Sequence, residues 1–192
     1  MTCSRKAWLV LLSAMALAAT GASGASATTL EIGGTTQGSA VTVEASLASG
    51  TSAILKTTSG TFLDTCTNSE VDAKTSTFTG TPSGAVSFLE FFNCSHTTHV
   101  VNNGSLSIER IGSTTNGTVR SHGALVEVEA TNFGITLECV TATTDIGTLT
   151  GTSSGHAVLH VNAVINCGFF VPSAKWEGSY TVTSPTGLGV VG

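Results

Sequence analysis

Cys66, Cys94, Cys139 and Cys167 are the residues best equipped for chemistry in this chain, because a thiol can either ligate a metal or be oxidised to a disulfide. The string Cys94-Ser95-His96-Thr97-Thr98-His99 tests the first use. Its sulfur and two imidazoles would suit zinc if Cys94 were a thiolate. In an exported chain Cys94 is oxidised, and the two histidines that remain are too few for an ordinary structural zinc site. His156 and His160 share a strand face but stand roughly 13 Å apart at strand rise, too far to hold one ion unaided. No metal and no other cofactor is therefore expected.

Gly151-Thr152-Ser153-Ser154-Gly155 matches the nucleophile elbow of α/β-hydrolases, with Ser153 in the nucleophile's place. That motif works only on a strand-to-helix turn. A strand pattern follows here, so a hairpin turn accounts for the string and no catalytic residue is assigned.

Export itself is read from the N-terminus. Arg5 and Lys6 precede an apolar run of 13 residues from Ala7 to Ala19, and small residues follow to Ala25-Ser26-Ala27. This is the pattern of a secretory signal peptide, here residues 1–27. A spanning helix needs roughly 20 apolar residues, so no integral membrane segment is expected once the signal is removed. Cys3 leaves with it, and the even count left behind implies two disulfides. Three pairings are formally open.

Without Arg5 and Lys6 the chain keeps five basic residues against twelve acidic ones, a net charge of −7, which disfavours nucleic acid as a partner. Charged residues make up 10% of the chain, where a soluble domain usually carries about 25%. Thr, Ser, Asn and Gly supply the polarity instead, a composition suited to half-exposed strands and polar turns.

The strands themselves are legible by their period of two. Ala157, Leu159, Val161, Ala163, Ile165 and Cys167 form one apolar face, against His156, Val158, His160, Asn162, Val164 and Asn166 on the other. Ile135, Leu137 and Cys139 repeat the pattern, as do Val41 to Leu47, Ala124 to Ala130 and Trp176 to Val182. In the strand ending at Cys94, Glu90 falls on the apolar face unless a bulge turns it outward. Asn103-Gly104, Asn116-Gly117 and Ser59-Gly60 mark turns. No segment beyond the signal shows a helical period longer than a turn. The expected fold is all-β, a mainly antiparallel β-sandwich over residues 28–192.

An internal repeat favours one disulfide pattern. Ser76 to Gly84 (STFTGTPSG) and Gly147 to Gly155 (GTLTGTSSG) share Thr, Thr-Gly-Thr and Ser-Gly, and Asn93-Cys94 recurs as Asn166-Cys167 at an offset of 73. One two-Cys unit duplicated is the simplest account, with units at about 28–100 and 101–184. It pairs Cys66 with Cys94 and Cys139 with Cys167. Phe91-Phe92 and Phe169-Phe170-Val171 adjoin the second cysteine of each unit and are expected to pack around the disulfides.

The strings SGHAVLHVNAVINC, TDIGTLTG and the closing YTVTSPTGLGVVG resemble a family of uncharacterised exported all-β proteins of actinobacteria, with paired cysteines and endings of the TSPTGLGV type. The resemblance spans most of the chain beyond the signal and implies no activity or site residues. The signal, the Thr/Ser/Gly composition and the paired cysteines are also similar to the secreted family called protein activator of alkane oxidation.

The expected role is accordingly a non-catalytic secreted or cell-envelope structural or interaction domain, not an enzyme, extracellular and at most loosely held at the envelope. A neutral Thr-, Ser- and Asn-rich surface suits a cell-wall polymer or an envelope protein as partner. The alternative is an extracellular carrier or sensor of a small hydrophobic ligand. A deep apolar cavity would distinguish the carrier, and a filled core the interaction domain.

Overall fold

The computed structural model describes residues 27–77, 80–130 and 134–192; the signal peptide expected over residues 1–27 lies outside them except for Ala27. In chain order the strands are β1 (Thr29–Ile32), β2 (Thr35–Thr36), β3 (Thr42–Leu47), β4 (Ala53–Thr57), β5 (Phe62–Thr77), β6 (Ser83–Cys94), β7 (Thr97–Asn102), β8 (Ser105–Arg110), β9 (Gly117–His122), β10 (Ala124–Ala130), β11 (Ile135–Thr141), β12 (Thr144–Thr150), β13 (Val158–Ile165), β14 (Ala174–Ser184) and β15 (Leu188–Val191). Among the described residues there is no helix, hence none long and apolar enough to cross a membrane. Every strand ladder is antiparallel.

Eight strands close into a ring in the order β13, β12, β9, β8, β6, β5, β3, β14, with β14 returning to β13. The two stacked sheets expected from the sequence are thus replaced by a closed barrel. One-sided strands read alike in a sandwich and a barrel, since each buries alternate residues. What decides between them is the β3–β14 ladder, Tyr180↔Leu47 to Ser184↔Glu44, which joins the two ends of the chain and leaves no local trace.

Several barrel strands continue beyond this ring after a break. β4 follows β3 in one slot, since both run antiparallel to β5 and β14. β7 leads into β8 across Asn103-Gly104, β9 into β10 across Gly123, and β11 into β12 across Ala142-Thr143. Gly104 has φ +69, and a Cβ there would collide with the carbonyl of His122, so the bend needs glycine. The upper halves β7, β10 and β11 form a separate sheet above β8, β9 and β12. The opposite end is covered by the β15–β1–β2 sheet, whose Leu30, Leu188 and Val190 are buried.

Both disulfides expected from the repeat are formed, Cys66–Cys94 and Cys139–Cys167, each closing a sequence separation of 28. Two disulfides are consistent with an oxidising environment. β5 is 16 residues long with Cys66 in its fifth place, and β11 to β12 covers Ile135–Thr150 with Cys139 in its fifth place. The first span is unbroken, whereas the second bends at Ala142-Thr143.

The inward faces match the sequence pattern. Ala157, Val161, Ala163, Ile165 and Cys167 are buried, as are Leu137, Cys139, Tyr180 and Val182. Glu90 is exposed because β6 does contain a bulge. Asp72 pairs with Phe88 but Ala73 with Val86, so Ser87 is the extra residue that resets the phase.

Candidate functional site

The barrel lumen holds two apolar cavities. The upper one, about 100 Å³, lies among Leu55, Val86, Leu89, Phe91, Val128 and Trp176, under the β7–β10–β11 sheet. The lower, about 110 Å³, lies among Leu30, Ala45, Ile108, Val119, Leu149 and Leu188. Val71, Leu106 and Leu159 line both and so form the partition between them. Eight strands make a barrel just wide enough to be filled by its own side chains or to hold one small ligand. Here short side chains such as Ala45, Ala53 and Ala124 leave space that longer ones would fill.

Phe91 and Trp176 meet edge to face at 6.2 Å, their rings reaching from β6 and β14 into the upper cavity. Both are half-buried, so they sit where the cavity nears solvent. The polar groups at the lumen are already satisfied. Ser121 Oγ and Thr141 Oγ1 lie 2.8 Å apart, and Tyr180 donates its hydroxyl to Ser69 Oγ at 3.2 Å. Burial pushes the Tyr180 phenol up to about 12, with the Ser69 hydrogen bond acting weakly the other way.

Among the described residues the one carboxylate at the upper cavity is Asp64, itself buried. Its Oδ1 accepts from Thr65 N (2.8 Å), Ser95 Oγ (2.8 Å) and His96 N (3.0 Å), and its Oδ2 accepts from Thr98 Oγ1 (2.6 Å). His96 Nδ1 stands 3.7 Å from Oδ1. Serine, histidine and aspartate do meet here, and Ser95 Oγ also stands 3.2 Å from His96 Nδ1, but the Ser95 hydroxyl donates to the nearer carboxylate at 2.8 Å. A nucleophile needs the reverse arrangement. Asp64 is therefore a hub that ties the turn after β6 to β5.

The histidine and cysteine string after β6 is dispersed. Cys94 is in its disulfide, His96 is half-buried beside Asp64, and His99 points outward from β7 in register with Glu127. Asp64, Cys66 and Cys94 place ligand atoms within 4.8 Å of one another, but oxidised sulfurs are not metal ligands. His156 and His160 take separate partners, the Val182 carbonyl at 2.7 Å and Ser179 Oγ at 3.1 Å. Ser153 is exposed on the loop from β12 to β13, with no helix behind it.

The two phenylalanine clusters differ. Phe91 and Phe92 are half-buried, but Phe169 is 92% exposed and Phe170 69%, stacked edge to face on each other at 5.6 Å. Packing around the second disulfide, expected from the sequence, is thus not their role. The loop after Cys167 turns outward at Gly168 (φ +84) and carries both rings away from the core.

The Asp64 hub was missed by sequence reasoning, which weighed Glu90 as the buried acid. One signal pointed to it: the Cys66–Cys94 pairing brings Asp64 beside Ser95, His96 and Thr98. No protein-family model matches the chain, and neither does a curated protein or a solved structure.

Proposed function

We propose that this chain is an extracellular carrier or sensor that holds one small hydrophobic molecule in the barrel lumen. The observation that carries the reading is the apolar upper cavity behind Phe91 and Trp176. An engineered apolar cavity of about 150 Å³ stays dry and admits benzene, so spaces of this order select ligands of a ring or a short chain. Among the described residues no activated nucleophile or base faces the lumen. Export is supported by the two disulfides and by the N-terminal pattern of charge, apolar run and small residues. Descent from a duplicated two-Cys unit is supported by the equal strand spans that start four residues before Cys66 and Cys139.

The structural or interaction role keeps one observation in its favour, the exposed Phe169–Phe170 pair on the loop after β13. Under that reading these rings dock on a cell-wall polymer or an envelope protein.

Trp8 and Trp176 are the two tryptophans of the chain. Trp8 lies in the signal expected over residues 1–27, so in the processed protein the emission reports the cavity alone. Titration with 1-hexanol should shift it saturably, and Phe169→Ser with Phe170→Ser should leave that response unchanged. A linear, unsaturable response would reject the carrier and leave the interaction domain as the better reading.

A further inference from the structure

Resting on the carrier reading, we propose that the ligand is uncharged and enters the upper cavity sideways, between β6 and β7. These two strands are joined by a turn of only two residues, Ser95-His96, which would ordinarily continue into a hairpin ladder. They splay instead. At the far end Val86 N donates to the Gly104 carbonyl (3.1 Å) and Asn103 Nδ2 to the Ser87 carbonyl (3.2 Å). At the near end Asp64 pins Ser95, His96 and Thr98. Between these fastenings, among the described residues, β6 from Phe88 to Phe92 pairs only with β5, and β7 pairs only with β10. The slit is thus held at both ends and open along its length, with a frame fixed by the Cys66–Cys94 disulfide at its top.

Burial places the opening on this side. Leu89, Phe91, Thr98 and Val126 line the cavity near the slit and are all half-buried. The other discontinuity of the upper wall lies between β11 and the end of β13. There Cys139, Thr141, Ile146 and Ile165 are buried, and a disulfide and the Val140–Asn166 bridge seal it. Leu63, Val128 and Leu137, buried as well, close the top.

Charge decides the ligand class. Among the described residues no Lys or Arg lines either cavity. Lys56 and Lys175 both pair with Glu177, Arg120 with Asp145, and Arg110 binds the carbonyls of Thr114 and Gly192. A ligand carboxylate would lose its water beside Asp64 and find no counter-charge, which is costly. An ammonium group could reach at most one free lone pair of Asp64, on which four donors already converge, and its other N–H donors would be buried unpaired against apolar walls, which is costly. A neutral apolar molecule meets neither penalty.

The test uses the processed protein, whose one tryptophan is Trp176, with 1-hexanol and hexanoate as probes at pH 8. Hexanol should shift Trp176 emission saturably, and hexanoate should need at least a tenfold higher concentration. Val100, half-buried on β7 and facing as Val126 does, stands at the slit without lining the cavity. Val100→Ala should raise the association and dissociation rates together, several-fold by NMR line shape, with Kd within about twofold; Val100→Phe should lower both. Equal affinity for hexanoate overturns the neutral ligand. Unchanged rates in both variants at unchanged Kd overturn the slit. No saturable shift with either probe removes the carrier reading and this proposal with it.

Discussion

Cys139 and Cys167 are linked one register step from the Val140–Asn166 bridge, the one backbone pairing between β11 and the end of β13 among the described residues. Cys66 and Cys94 instead face each other within the long β5–β6 ladder. The two disulfides are alike in sequence and differ in mechanical setting: one reinforces an existing ladder, the other substitutes for a missing one.

That difference is measurable. In the chain-entropy account a loop of this length is worth ~3–4 kcal/mol of stability, so either Cys-to-Ser pair should lower the urea midpoint by a similar amount. Hydrogen exchange should separate them. Amides of β11 should lose protection when Cys139 and Cys167 are replaced, while β5 and β6 should stay protected when Cys66 and Cys94 are. Equal loss in both would show that the ladder does not matter.

Tyr180 is the only tyrosine of the chain, so ultraviolet titration reports it without ambiguity. Burial raises its folded value to about 12, above the ordinary phenol value of about 10. A raised value contributes stability that is complete below the unfolded value and is lost as pH rises through the folded one. Unfolding should therefore become easier by about 2–3 kcal/mol in total between pH 10 and 12. Tyr180→Phe should flatten this alkaline slope, while costing about 1–2 kcal/mol at neutral pH because Ser69 loses its donor. A phenol that titrates near 10 in the folded protein would contradict its burial.

Asp64→Asn replaces one accepting oxygen with a donor, although four donors converge on the carboxylate. At least one hydrogen bond to the carboxylate is lost and one buried donor is left facing another. The expected cost is about 2–3 kcal/mol by denaturant unfolding. Ser95→Ala, which removes a single donor, should cost less. An Asn variant as stable as the parent would mean that water already serves the hub.

How far the sequence carried the argument depended on range. Faces such as Ala157 to Cys167 are set by alternation, and alternation survives in any packed β fold. A bulge in β6 was legible because Glu90 would otherwise have been buried, but its place at Ser87 was not. The pairing of Cys66 with Cys94 came from the repeat. Closure of the barrel was not legible, since β3 and β14 meet from opposite ends of the chain. Nor was the cavity, because empty space depends on which small residues face one another across the lumen, as Ala53 and Ala124 do from different walls. The outward Phe169-Phe170 loop escaped as well: composition makes aromatics core residues by default, and only the turn at Gly168 overrides that.

Two enlargements of small residues should have opposite effects, and together they test whether the upper cavity is real space. A Cβ on Gly147 would collide with the carbonyl of His160 on the neighbouring strand β13. Gly147→Ala must therefore push two barrel strands apart, at about 1–3 kcal/mol. Ala124 is also buried, but it borders the cavity. Ala124→Leu adds three carbons to unoccupied apolar volume and should leave the thermal midpoint unchanged or raise it, since each buried methylene is worth about 0.8 kcal/mol. The same substitution should abolish the hexanol response of Trp176. Loss of stability comparable with Gly147→Ala would mean that the lumen has no room at this point, and retention of hexanol binding at full affinity would place the ligand elsewhere.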